Sequence, residues 1–243
     1  MSNTQDLQPT NMTVLVVGPP KSGKTRFLGT WPKPFIYSFD GSITSLAGKD
    51  IDYELFQDDD RYKPEAFMKF VTHLDDKINA IQAGTDDTKT IGLDNLTFLS
   101  RSLMNYIQYM HRTIDKPPGF EGYRMFKSKM LDIITKARLS GVNLVATAEE
   151  KMDKDENTGE IETVPAIEGS YREEVVADFD MAFYMRVSRD PKTKMPLYLM
   201  QTVPDHRIKC AGSRWDCGLA MLEIPDYAVI IAKIKERFPT VKI

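Results

Sequence analysis

At 243 residues the chain has room for one α/β domain or two small ones, and 42% hydrophobic with 28% charged residues excludes disorder as its default state. Its 32 basic and 35 acidic residues leave a formal charge of −3, which excludes nucleic-acid binding by bulk charge and confines any such contact to a local patch. Two cysteines, Cys210 and Cys217, make neither a disulfide framework nor a zinc set and read as idle thiols, and no run approaches the roughly 18 apolar residues of a membrane span.

Residues 1–12 read as a polar tail without a signal-peptide core, and 13–243 as a single domain. The run Thr13 to Val17, closed by Gly18, predicts a strand buried on both faces. A short helix from Lys24 ends before Pro32 and Pro34, and Phe35 to Phe39 predicts a second strand ending at Asp40-Gly41. From Pro64 to Ala83, Phe67, Phe70, Val71, Leu74, Ile78 and Ile81 keep helical spacing, with Gly84 as C-cap. Thr90 to Leu93 predicts a third strand running into Asp94, followed by a helix over Leu96 to Ile114 and a break at Pro117-Pro118-Gly119.

A helix over Tyr123 to Ser140 stops at Gly141, and Val142 to Thr147 is the next strand. Glu149 to Ile161 is charged with little apolar content and reads as a mobile loop or an exposed hairpin. Met181 to Val187 and Leu197 to Val203 predict a hairpin, and a helix over Tyr227 to Phe238 closes the chain. Strands alternating with helices predict an α/β fold: a mainly parallel sheet flanked by helices, with antiparallel edge strands near the C-terminus.

The segment Gly18-Pro19-Pro20-Lys21-Ser22-Gly23-Lys24-Thr25 joins the first strand to the first helix and matches the phosphate-loop pattern. Its glycines let backbone N–H groups converge on anionic oxygens, Lys24 reaches the β and γ phosphates, and the Thr25 hydroxyl suits magnesium. Arg26 is counted with these nucleotide-contacting residues, and the opening of the helix adds a positive dipole end. Magnesium also needs a carboxylate at the end of a neighbouring apolar strand, where Asp94 stands; its competing role is to cap the following helix. Asp40 ends the second strand on the same sheet edge and is either the group that activates water or a turn residue.

Taken in order, the phosphate loop, Phe39-Asp40-Gly41, Asp94, Asn143 to Lys151, Pro165 to Arg172 with the later Phe179-Asp180, and Arg214 resemble the RecA-like P-loop ATPases of bacteriophages, several of which anneal single-stranded DNA in recombination. The resemblance implies a RecA-like core that binds ATP and Mg2+, with Lys24, Asp40, Asp94 and Arg214 as catalytic residues. It implies DNA-stimulated ATPase activity on single-stranded DNA, a homo-oligomer in which Arg214 completes a neighbour's site, a single-strand binding protein as partner, no membrane, and the cytoplasm of the host cell. Three departures stand out, the first being Asp40 where those enzymes often carry the longer glutamate. Glu149 occupies the position where relatives carry a histidine or glutamine that senses the γ-phosphate, leaving Thr147 as an alternative, and the lysine expected close to Arg214 is displaced to Lys209.

The same resemblance turns the loops after Asp94 and Thr147 toward DNA, offering Arg112, Lys116 and Arg124, then Lys151, Lys154 and Arg172, with Tyr123 and Tyr171 to stack on bases. Each basic residue has a plain alternative as part of a solvated surface. Two other function classes compete: a nucleotide or small-molecule kinase, disfavoured because Glu149 to Glu162 holds no arginine for a lid, and a nucleotide-dependent assembly module without turnover. No Asn-Lys-x-Asp segment reads a guanine base.

Overall fold

The computed structural model describes residues 10–114, 116–154, 159 and 161–239. Its main sheet is built around β1 (Thr13–Val17), β2 (Pro34–Ser38), β4 (Thr90–Asp94) and β5 (Asn143–Ala148), all parallel, with β3 (Asp52–Leu55) parallel at one edge. Beyond β1 lies β8 (Met181–Arg189), parallel to it, then β9 (Pro196–Gln201) antiparallel, with two-residue strands β10 (Gly212–Ser213) and β11 (Leu222–Glu223). The spatial order is β11-β9-β8-β1-β5-β4-β2-β3. The fold is thus the predicted one: a mixed, mostly parallel α/β sheet flanked by helices, with antiparallel strands near the C-terminus.

The β-branched run of β1 explains why both sheet faces are covered. Leu15 and Val17 point into a core closed by α2 (Ala66–Gln82), α3 (Leu96–Met110) and α4 (Gly119–Arg138). Val14 and Val16 point the other way, into a core shared with α1 (Lys24–Leu28) and α6 (Tyr227–Arg237). A strand apolar on both faces serves two layers at once. Met12, assigned above to the tail, belongs to this second core; it is buried, and its N–H donates to Asn143 Oδ1 at 2.9 Å.

Several boundaries move for identifiable reasons. The helix expected to reach Ile114 ends at Met110, and Arg112 adopts a positive φ of 56° just beyond it. The expected break at Pro117-Pro118-Gly119 is instead the start of α4, because proline at a helix entrance has no N–H to lose. β3 escaped notice: all four of its residues are exposed, so no alternation marks it. Glu149 to Ile161 resolves as a separate two-stranded hairpin, β6 (Glu150–Lys154) and β7 (Ile161–Pro165). A short helix α5 (Tyr171–Glu174) follows it.

Because the central strands are parallel, the segments that follow β1, β2, β4 and β5 all emerge at one sheet edge. That edge gathers the phosphate loop, Asp40, Asp94 and Glu149.

Candidate nucleotide site

The phosphate loop is held open by local backbone geometry. Gly23 sits at φ 94° and Lys21 at φ 64°, left-handed conformations that turn successive amides inward. α1 then runs from Lys24 to Leu28, the short helix expected before Pro32. The Lys24 ammonium donates to the Gly18 carbonyl at 2.8 Å and the Pro19 carbonyl at 2.9 Å. Burial pushes its pKa below the ordinary lysine value, while the negative charges of Glu149, Asp94, Glu150 and Asp40 pull it back.

Placement of α1 depends on Gly92. Leu28 lies so close to β4 that a Cβ on Gly92 would come 2.9 and 3.0 Å from its two methyl carbons. Thr25, three residues before Leu28 on the same helix face, therefore meets Asp94, two residues beyond Gly92 on the same strand face. Thr25 Oγ1 donates to Asp94 Oδ2 at 2.8 Å, and Thr147 Oγ1 on β5 donates to Asp94 Oδ1 at 2.5 Å. Asp94 is 2% exposed. Burial raises its pKa above the ordinary carboxylate value, the two hydroxyls oppose that rise, and the charge of Asp40 adds to it.

Asp40 lies at the end of β2, and both of its carboxylate oxygens are engaged. Oδ1 accepts from the Ser42 N–H at 2.8 Å, and Oδ2 accepts from Asn95 Nδ2 at 2.9 Å. The α3 N-cap is Asn95 rather than Asp94, its Oδ1 accepting from the Phe98 N–H at 3.1 Å. The capping role set against Asp94 thus falls to its neighbour, leaving the Asp94 carboxylate to the site. Glu149 is fixed through its backbone: its N–H donates to Thr97 Oγ1 at 2.9 Å, and its carbonyl accepts from the Ala166 N–H at 2.8 Å.

Lys24, Thr25, Asp40, Asp94, Asn95 and Glu149 line one cleft of about 450 Å³, together with Pro20, Lys21, Ser22, Gly23, Arg26 and Tyr198. Asn95 and Tyr198 carry no sequence signal of this role: Asn95 merely precedes the expected helix, and Tyr198 falls inside an expected strand. The donor set fits a magnesium nucleotide. A hydroxyl and a carboxylate in contact are hard oxygen ligands, an ammonium stands beside them, and the Ser22 hydroxyl is buried without a partner among the described residues.

Arg214 is not in this cleft. It follows β10, which pairs with the first residues of β8, at the sheet edge opposite the phosphate loop. Its backbone N–H donates to the Asp180 carbonyl at 2.8 Å, and its guanidinium contacts the Ala177 carbonyl. Lys209 pairs with Glu162 on β7 at 2.8 Å.

The expected DNA contacts divide. Tyr171 is corrected: it is 2% exposed, with its hydroxyl donating to Asp178 Oδ2 at 2.5 Å, so its ring cannot stack on a base. Arg172 is tied to Asp153 at 2.7 Å and Arg124 to Glu121 at 2.9 Å. Arg112, Lys116, Tyr123, Lys151 and Lys154 are exposed.

No helix among the described residues is long and apolar enough to cross a membrane. A solved structure of a KaiC-like protein from the archaeon Pyrococcus horikoshii OT3 is similar at 13% identity, over 81% of this chain and 80% of that one, with a TM-score of 0.42. No curated protein sequence matches. The AAA domain family matches residues 10–215, the whole of the nucleotide cleft included. With that match covering most of its length and the phosphate loop in place, the chain belongs to the AAA domain family of P-loop proteins.

Proposed function

We propose that the protein is an ATP-hydrolysing, magnesium-dependent P-loop ATPase that acts on single-stranded DNA in recombination or annealing of the phage type, as a homo-oligomer. The observation that carries the ATPase reading is the contact of Thr25 and Thr147 with the two oxygens of buried Asp94, next to an Asp40 oriented by Asn95. Thr25 and Asp94 would hold magnesium, directly and through water. Bound there, the ion would neutralise charge on the β and γ phosphates.

Lys24 binds the same oxygens and exchanges its loop carbonyls for them. Asp40 orients the attacking water and accepts its proton, and Asn95 keeps the receiving oxygen aimed at the cleft. Support for the DNA reading is the exposed set Arg112, Lys116 and Tyr123, on the segment that follows β4 and α3. An oligomer would let Arg214 reach a neighbour's cleft, since its own lies at the opposite edge.

A second reading is a nucleotide-dependent assembly module without turnover. The Glu149 carboxylate favours it, because a negative charge lining the cleft opposes the γ-phosphate. Phosphate release with ATP and magnesium, alone and then with single-stranded DNA, separates the two. Turnover accelerated by DNA supports the first, tight binding without release supports the second, and transfer to a nucleoside acceptor sinks both in favour of a kinase.

A further inference from the structure

We propose that Tyr198 and Arg26 form the base platform of the nucleotide cleft, which takes a purine nucleoside triphosphate by stacking on the ring face rather than by reading its edge. The inference rests on the nucleotide reading above and adds where the nucleoside lies.

β8 pairs with β1 only as far as Tyr184, yet continues with β9 to Arg189. The hairpin therefore rises past the end of β1 and stands beside the phosphate loop. Tyr198 lies opposite Val187 on that raised part, and its ring borders the loop: a Cβ on Gly23 would lie 3.2 Å from Tyr198 Cδ1. The Arg26 guanidinium carbon is 5.7 Å from the centre of the same ring.

Neither group has another task among the described residues. Arg26 is exposed and makes no ion pair there, and the half-buried Tyr198 makes no hydrogen bond through its hydroxyl. The guanidinium lies over the ring in a cation–π contact, and the pair, with no other polar partner among the described residues, offers a flat surface to a third flat group.

The cleft has a direction that identifies that group. Asp40, Asp94, Asn95 and Glu149 line it beyond the loop on the β4–β5 side, whereas Tyr198 and Arg26 line it toward β9. A triphosphate whose terminal phosphate meets Lys24 and Asp94 directs its nucleoside away from the carboxylates, toward Tyr198. Stacking uses the π face that all bases share, is strongest for the larger purines, and leaves the exocyclic groups of adenine and guanine unread.

The test compares binding of ATP, GTP and inorganic tripolyphosphate, each with magnesium, to the full chain and to Tyr198→Ala and Tyr198→Phe. Tyr198→Ala should weaken ATP and GTP alike by about tenfold, equivalent to about 1.4 kcal/mol, with tripolyphosphate unchanged within about twofold and Tyr198→Phe near the parent. Quenching of etheno-ATP fluorescence by the parent should disappear in Tyr198→Ala. The proposal is overturned if Tyr198→Ala leaves ATP affinity intact, or weakens tripolyphosphate equally, since the ring would then only buttress the loop at Gly23. A parent chain that binds none of the three ligands overturns the nucleotide reading itself, which is a different result.

Discussion

Asn95 holds Asp40 with one end of its amide and α3 with the other: Nδ2 donates to Asp40 Oδ2 at 2.9 Å, while Oδ1 accepts from the Phe98 N–H at 3.1 Å. Only one orientation of the amide satisfies both partners. The helix cap and the aim of the proposed water-activating carboxylate are therefore one structural element, placed by the residue that directly follows Asp94.

That coupling separates stability from turnover. Asn95→Ala should lose about 1 kcal/mol of helix capping and leave Asp40 able to rotate, lowering kcat by about tenfold with ATP affinity retained. Asn95→Asp restores an acceptor for the cap but sets a carboxylate against Asp40. Thermal denaturation should show its stability rescued while phosphate release stays low. Equal rescue of both would sever the link between cap and carboxylate.

Asp94→Asn exploits the raised pKa of this buried group. A carboxyl raised in the folded state contributes stability that is full below its ordinary pKa and is lost as pH rises through the folded value, so above the ordinary carboxylate range the burial of Asp94 costs stability. The amide removes that penalty and can still meet both threonine hydroxyls. Its Tm at neutral pH should rise, by about 2–4 °C for each kcal/mol relieved, and the gain should vanish in acid. Magnesium-dependent turnover should be abolished in the same protein.

How much of this was legible in the sequence follows from what each residue depends on. Gly18 to Thr25 was legible because a phosphate cradle demands fixed residue types at fixed spacing, and Asp94 because it ends a strand with no other polar exit. Tyr198 was not, since its place depends on β8 running past β1, a matter of strand pairing across the fold. Tyr171 misled because an aromatic residue in a polar segment carries no mark of burial, and Asp178 supplies the partner that lets it go inside. β3 was invisible because an exposed edge strand needs no apolar face. Gly92 gave no sign of seating α1, because the Leu28 methyls it makes room for belong to another element.

Gly92→Ala tests that seating. The added methyl would meet Leu28 at 2.9 Å, so Leu28 must move or α1 must lift, and lifting α1 draws Thr25 away from Asp94. A cost of about 1–3 kcal/mol in stability is expected, together with a weaker magnesium-dependent gain in ATP affinity. The double variant Gly92→Ala/Leu28→Ala should recover that gain, because the clash is gone, while remaining less stable than the parent. If the gain is untouched in Gly92→Ala, Leu28 absorbs the methyl alone.

Arg112 and Lys116 carry the DNA reading through charge, and salt measures that directly. Each backbone phosphate neutralised releases counterions, so removing one contact should flatten the plot of log affinity against log salt by about 0.7 for single-stranded DNA. Arg112→Ala and Lys116→Ala should each do this, with the fold unchanged because both side chains are exposed. Tyr171→Phe should leave DNA affinity as it was, since the ring is buried. Slopes identical to the parent in both charge variants would move the DNA elsewhere on the surface.

Glu149 opposes the phosphate it faces, and its removal should reveal by how much. Among the charges acting on Lys24, that of Glu149 is the largest, and its carboxylate lines the cleft with Asp40 and Asp94. The backbone of Glu149 is fixed by Thr97 and Ala166, so Glu149→Gln changes the charge without releasing the chain. A terminal phosphate adds negative charge that ADP lacks, and screened repulsion in a solvent-open cleft is worth about 1 kcal/mol. Glu149→Gln should therefore raise the preference for ATP over ADP by about fivefold, read as the ratio of the two dissociation constants. An unchanged ratio would mean that the carboxylate points away from the terminal phosphate, and that the case for a nucleotide-bound module without turnover loses its one observation.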